Sequence, residues 1–218
     1  MVSEVLIPVR FYGYDSIIYF ISALIGFMIT YRALKLHQFT GAPAHRNFYL
    51  SFLILSAGML TLSLSTGYTY VKFFESHEFI AFNGAFDVSD MGYWIYFLSS
   101  LVAYIMLLGS YDKGKNPEKF AIGFLITFNY YAYFNVILFF LIALVAFRAA
   151  ANSLSKKSTE SRLVALGFIL IALYHGLQLF TFASKIVYVL SNLALVFGFL
   201  SLLVMLLKVE NYGKKIGR

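Results

Sequence analysis

Residues 25–52 read IGFMITYRALKLHQFTGAPAHRNFYLSF, and residues 141–168 read LIALVAFRAAANSLSKKSTESRLVALGF. The two align without a gap at a displacement of 116 positions, which sets Tyr31-Arg32-Ala33 on Phe147-Arg148-Ala149, Arg46 on Arg162 and Phe52 on Phe168. Each stretch is an apolar run, a short polar and basic segment, and a second apolar run. A second match, displaced by 92, sets residues 96–101, YFLSSL, against residues 188–193, YVLSNL. Apolar units repeated over such lengths predict a polytopic membrane protein built by duplicating a three-helix unit.

Composition points the same way. The chain is 61% hydrophobic and 12% charged, with a mean hydropathy of +0.78. Soluble domains are roughly half apolar and about a quarter charged. A helix crosses the ~30 Å hydrocarbon core with ~20 apolar residues. Segments 48–71, 91–111 and 186–207 meet or approach that length without an internal charge, and 16–36 does so with Arg32 and Lys35 in its last turn and a half. The short alternating segments of a transmembrane β-barrel are absent. With no cysteine in the chain, disulfides and thiolate chemistry are excluded. The first residues, with Glu4 and Arg10 and no long apolar core before a small-residue site, do not read as a cleaved signal peptide. The first span is expected to serve as an uncleaved signal-anchor.

Six spans are placed at about 15–36, 48–73, 91–111, 132–152, 162–181 and 186–208. The net charge of +7 is concentrated in the segments between them, which argues for the positive-inside rule rather than for nucleic acid. Arg32, Lys35 and Arg46, then Lys113, Lys115 and Lys119, then Arg148, Lys156, Lys157 and Arg162, then Lys208, Lys214, Lys215 and Arg218 share one side only if the chain crosses twice between Lys119 and Arg148. A short span at 118–131, turning near Asn129-Tyr130-Tyr131, is therefore expected. The fold class is an all-α, polytopic, seven-transmembrane-helix bundle with a 3+1+3 parallel internal repeat, its N-terminus outside and its C-terminus cytoplasmic. Residues 1–218 form a single membrane domain: repeat 1 at about 15–111, a linker helix at about 118–131, and repeat 2 at about 132–208. Between spans two and three, residues 72–90 carry Glu75, His77, Glu78, Asp87 and Asp90. They read as an acidic extracytoplasmic loop, with Asn83-Gly84 as the turn of a cap or hairpin.

Polar residues inside spans need partners, because lipid supplies none. The sixth expected span contains Tyr174-His175-Gly176-Leu177-Gln178. His175 and Gln178 lie three apart and share a face. At the 116 displacement the same positions in the first unit are Gly58, Met59, Leu60, Thr61 and Leu62, so the second unit is polar where the first is not. Two readings stand: an interhelical hydrogen bond that holds the bundle, or a site grafted onto a duplicated scaffold. Asp15, Asn135 and Asn192 (which replaces Ser100 of the first unit) lie at similar depth, with Asn129 and Asp90 close by. Seventeen tyrosines, 24 phenylalanines and one tryptophan supply either an interfacial aromatic belt or the wall of an outward-facing pocket. The candidate ligand-binding set is His175, Gln178, Trp94, Tyr96, Tyr174, Asn135, Asn192 and Asp15.

Several chemistries lack their residues. There is no HExxH, no Cys/His cluster, no phosphate loop and no GxSxG, so no metal, cofactor or catalytic constellation is assigned and the chain is read as a non-enzyme. The span count resembles microbial rhodopsins, yet residues 186–207 hold no lysine for a retinal Schiff base. The plan is similar to parallel 3+1+3 sugar transporters, yet Pro8, Pro43 and Pro117 all lie outside spans or at their edges.

The pattern Tyr31-Arg32-Ala33, then Arg46-Asn47-Phe48-Tyr49-Leu50-Ser51-Phe52, with its second copy at 147–168, resembles the membrane-embedded multi-span sensor regions of prokaryotic signalling proteins, archaeal ones included. That resemblance implies a receptor or sensor-like protein acting through a separate protein partner, since only residues 209–218 follow the last span. The expected ligand is small and apolar, aromatic or lipidic, bound in the outer half of the bundle. The alternatives are a small transporter or channel with its path between the two repeats, and a structural subunit of a membrane complex. The expected surroundings are a lipid bilayer, at the cell membrane, with no nucleic acid.

Overall fold

The computed structural model describes residues 12–75, 79–111, 131–181 and 184–216. All of its regular structure is helical: α1 (Tyr12–Thr40), α2 (Pro43–Glu75), α3 (Phe79–Tyr111), α4 (Tyr131–Lys156), α5 (Thr159–Gln178) and α6 (Lys185–Ile216). Six of these described helices are long and apolar enough to cross a membrane, and the chain is a multi-pass membrane protein. The expected short span at 118–131 lies outside the described residues, apart from Tyr131, which opens α4.

One expectation is corrected. Residues 72–75 and 79–90 are helical, not loop or hairpin: α2 runs on to Glu75, and α3 starts at Phe79 and passes through Asn83-Gly84 without a break, while 76–78 lie outside the described residues. Asn-Gly turns the chain only when flanking strands are there to pair. Here the neighbours on both sides are helical, and an isolated glycine costs a helix only ~1 kcal/mol.

Helix directions follow from which side chains meet. Ser16 and Ser63 exchange hydrogen bonds, the Ser16 hydroxyl donating to the Ser63 carbonyl at 2.9 Å and the Ser63 hydroxyl to the Ser16 carbonyl at 2.7 Å. With the approach of Gly13 to Tyr70, they set α1 and α2 antiparallel. Gly58 packs on Ser99 and Gly92 on Ser65, setting α2 and α3 antiparallel. The contact of Asn135 with His175 does the same for α4 and α5, and that of Gln178 with Ser191 for α5 and α6. The two remaining seams are parallel. Phe134 stacks on Phe97 at 4.0 Å, while further along both helices Ser110 and Tyr111 line one cleft with Phe147 and Arg148. On the other seam Tyr14 meets Tyr188, and about three turns further Gly26 meets Phe199. The six helices form a ring in which each packs on its sequence neighbours and α6 closes on α1.

The stretches quoted at the outset adopt the same local structure. The first helix of each pair ends at Thr40 or Lys156, and the next begins at Pro43 or Thr159. Gly41 and Lys157 take left-handed φ values of 63° and 52°. The Gly41 amide donates to the His37 carbonyl at 2.8 Å, and the Lys157 amide to the Ser153 carbonyl at 2.9 Å. Both are C-terminal left-handed caps. Matching positions are buried alike: Ile29 with Val145, Ala33 with Ala149, Phe52 with Phe168, Leu55 with Ile171, and Met59 with His175.

With no hydrophobic effect between helices in lipid, close packing and hydrogen bonds hold them together. Gly167 and Gly198 bring α5 and α6 backbone to backbone; a Cβ on either would stand 3.0 Å from the other's carbonyl oxygen. The outward faces are apolar, with Phe20, Leu24 and Met28 on α1, Phe140 and Leu144 on α4, and Val189, Leu193 and Phe197 on α6 all exposed. That surface needs lipid.

Candidate functional site

His175 is the centre of a buried polar group. It lies on the inner face of α5 and is 0% exposed. Its Nε2 is 2.9 Å from the Tyr104 hydroxyl of α3, and its Nδ1 is 3.2 Å from Asn135 Oδ1 of α4. With the Asn135 carbonyl oxygen facing the ring, Nδ1–H donates to it and Nε2 accepts from the Tyr104 hydroxyl, which assigns the tautomer from the network. The Tyr104 ring stands edge-on to the imidazole at 5.7 Å. Both ring nitrogens are thus engaged by protein.

The preceding residue reaches the opposite way. The Tyr174 hydroxyl lies 3.3 Å from that of Tyr19 on α1, either one donating, and its ring packs on His175 at 4.8 Å. Tyr96 of α3 lies beside Tyr19, ring to ring at 6.3 Å. Its hydroxyl approaches those of Tyr174 and Ser100 without a hydrogen bond to either. Adjacent residues of α5 therefore bind both α1 and α3. The described hydrogen bonds between side chains of α1–α3 and those of α4–α6 are Tyr19 to Tyr174 and Tyr104 to His175.

A second buried pair lies between α1 and α6. Asp15, in the first turn of α1, is 1% exposed, and Asn192 is 0% exposed. The carboxyl and the carboxamide face each other, yet Asp15 Oδ1 and both polar atoms of Asn192 lack a hydrogen-bond partner among the described residues.

Not every expected residue joins these groups. Gln178 donates to the Ser191 hydroxyl of α6 at 3.2 Å, and Ser191 donates in turn to the Tyr188 carbonyl. Three residues advance a helix by about 300°, so His175 and Gln178 are about 60° apart, enough to address different neighbours. Trp94 is 40% exposed and stands edge-on to Phe134 at 4.6 Å. It belongs to an aromatic cluster on the outside of the α3–α4 seam. Tyr19 and Tyr104 were not singled out from the sequence. The signal was available: a phenol inside an apolar span needs a buried partner as much as a histidine does.

At the far end of α3 and α4, Ser110, Tyr111, Phe147, Arg148, Ala151, Asn152 and Lys156 line an open cleft of about 500 Å³. Among the described residues no group of three His, Cys, Asp or Glu side chains is placed to hold a metal ion. Comparison with protein-family models, with curated proteins and with solved structures returned no match to this chain.

Proposed function

We propose that this protein is a non-enzymatic membrane receptor or sensor, with Tyr174 and His175 as the latch between two three-helix units. The observation that carries the reading is that the described side-chain hydrogen bonds between the units end on these two consecutive residues, where the first unit has Gly58 and Met59. A small apolar, aromatic or lipidic ligand entering the outer half competes for Tyr104, Asn135 or Tyr19. Because each group is already paired, binding exchanges partners and shifts one unit against the other, which is the differential interaction a switch requires. The change passes to a separate partner at the end that bears Gly41 and Lys157.

Seven spans in a 3+1+3 plan fit this reading. Helices α3 and α4 run parallel side by side, so Tyr111 and Tyr131 lie at opposite ends of the bundle. A crossing at about 118–131 would join them. Arg32, Lys35, Arg46, Arg148, Lys156, Lys157, Arg162 and Lys208 gather at the Gly41 end, against Lys72 and Lys185 at the other, which favours a cytoplasmic Gly41 end and an outside N-terminus. The shared turns at Gly41 and Lys157 favour duplication.

The test is ligand-induced thermal stabilisation across a lipid and metabolite screen, with wild type beside His175→Ala and Gln178→Ala. A hit lost in His175→Ala and kept in Gln178→Ala, whose side chain bonds Ser191 of α6 instead, is the expected result. Hits unchanged in both variants would remove the site. The buried polar seam at Asp15 and Asn192 favours, as a second reading, a small transporter with its path between the units. Flux into proteoliposomes, abolished by His175→Ala, would replace the receptor reading.

A further inference from the structure

We propose that Asp15 and Asn192 form a closed site for a small monovalent cation on the seam between α1 and α6. The proposal does not rest on the receptor reading.

Each side chain is all but fully buried, and three of their polar atoms have no hydrogen-bond partner among the described residues. Buried polar atoms in folded proteins are paired as a rule, and an orphaned group points to a water or an ion. A bare buried carboxylate is costlier still unless a counter-charge meets it. The described neighbours that act on Asp15 or feel its charge are Asn192, Tyr14, Tyr19 and Tyr174, none of them basic. The positive end of the α1 dipole favours an acid in the first turn, but it leaves Asn192 Oδ1, the atom of that side chain that a cation can meet, without a partner.

The donor chemistry sets the ligand class. A carboxylate and a carboxamide oxygen are hard donors, which select hard cations. One carboxylate balances one positive charge. Divalent calcium takes six to eight oxygens, commonly from several carboxylates, and no such group is found among the described residues. The near-zero exposure of both side chains closes the seam to solvent, which favours a small ion that has shed its water. A dehydrated sodium-sized ion fits all three conditions. Since α1 and α6 belong to different three-helix units, the ion would tie the units at the Asp15 end, one helical turn from Tyr19.

The experiment uses the full chain in detergent or nanodiscs. Its melting temperature is followed as NaCl replaces choline chloride at constant ionic strength, with LiCl and KCl as parallel arms. A site occupied in the folded state alone raises Tm with the logarithm of cation concentration above its Kd. Wild type is expected to show that rise for at least one of the three ions. Asp15→Asn and Asn192→Leu are expected to flatten it while melting cooperatively in choline. A flat wild-type response to all three ions overturns the proposal without any variant. So does a rise that survives Asp15→Asn, or stabilisation obtained by lowering pH in choline with no ion dependence; the last would mean a protonated Asp15 paired with Asn192.

Discussion

The Tyr104–His175 contact is a neutral hydrogen bond inside a membrane bundle. In such settings one bond contributes ~0.6 kcal/mol on average and at most ~1.7 kcal/mol, whereas an orphaned buried partner costs ~1–3 kcal/mol. Tyr104→Phe leaves Nε2 of His175 unpaired and should destabilise by ~1–2 kcal/mol. His175→Met installs the side chain found at the matching position, Met59, itself fully buried. Alone it orphans the Tyr104 hydroxyl and the Asn135 amide. The double variant removes the Tyr104 hydroxyl as well, so it should cost less than the sum of the single changes by ~0.5–1.5 kcal/mol. Reversible unfolding in mixed micelles measures the cycle, and additivity within ~0.3 kcal/mol would show that the pair contributes no coupling. Of these residues, His175 was legible in the sequence because an imidazole in an apolar run stands out. Tyr104 was not, because in a chain with 17 tyrosines a phenol reads first as part of an interfacial belt. Only the meeting of Tyr104 with His175 across the bundle distinguishes the two roles.

At the scale of the element, the two helix–turn–helix segments use one backbone solution with different residues. Position 41 is glycine and position 157 is lysine, both with left-handed φ. A left-handed backbone costs an ordinary side chain ~1–2 kcal/mol and costs glycine little of that. Lys157→Gly should therefore stabilise the protein, by ~0.5–1 kcal/mol after the entropy that glycine adds to the unfolded chain. Gly41→Ala should destabilise by a similar amount, although a Cβ at Gly41 would meet nothing within 4 Å. Opposite signs in one unfolding assay would establish conformational strain, not contact, as the cause. If both changes destabilise, the shared cap is not what sets the turn. These turns were legible because their cues are local: an apolar run stops, basic residues follow, and a second run begins. The 72–90 segment was misread for the converse reason. Its Asn83-Gly84 and its acids are local turn signals, overridden by helix continuation on both sides.

For the whole molecule, the informative quantity is direction. In an up-and-down bundle every neighbouring pair in sequence is antiparallel. Here α3 and α4 are successive among the described helices, yet they run parallel, as Phe97 on Phe134 at one end and Tyr111 beside Phe147 at the other require. The charge pattern points the same way, since lysines and arginines fall on one side only if the extra crossing proposed above separates the two units. Ring order and the inward rotation of each helix were not legible, because long apolar runs look alike from every side. The proposed crossing makes a prediction that the absence of cysteine makes clean to test. A single cysteine at Asn129 should react with an impermeant maleimide added outside intact cells. One at Ser155, two residues before the left-handed Lys157, should react only after permeabilisation. Cysteines at His37 and Ser155, four and two residues before the two equivalent turns, should behave identically. If Asn129 instead reacts only after permeabilisation and Ser155 from outside, the chain does not cross between Tyr111 and Tyr131, and the two three-helix units cannot both present their basic turns to the cytoplasm.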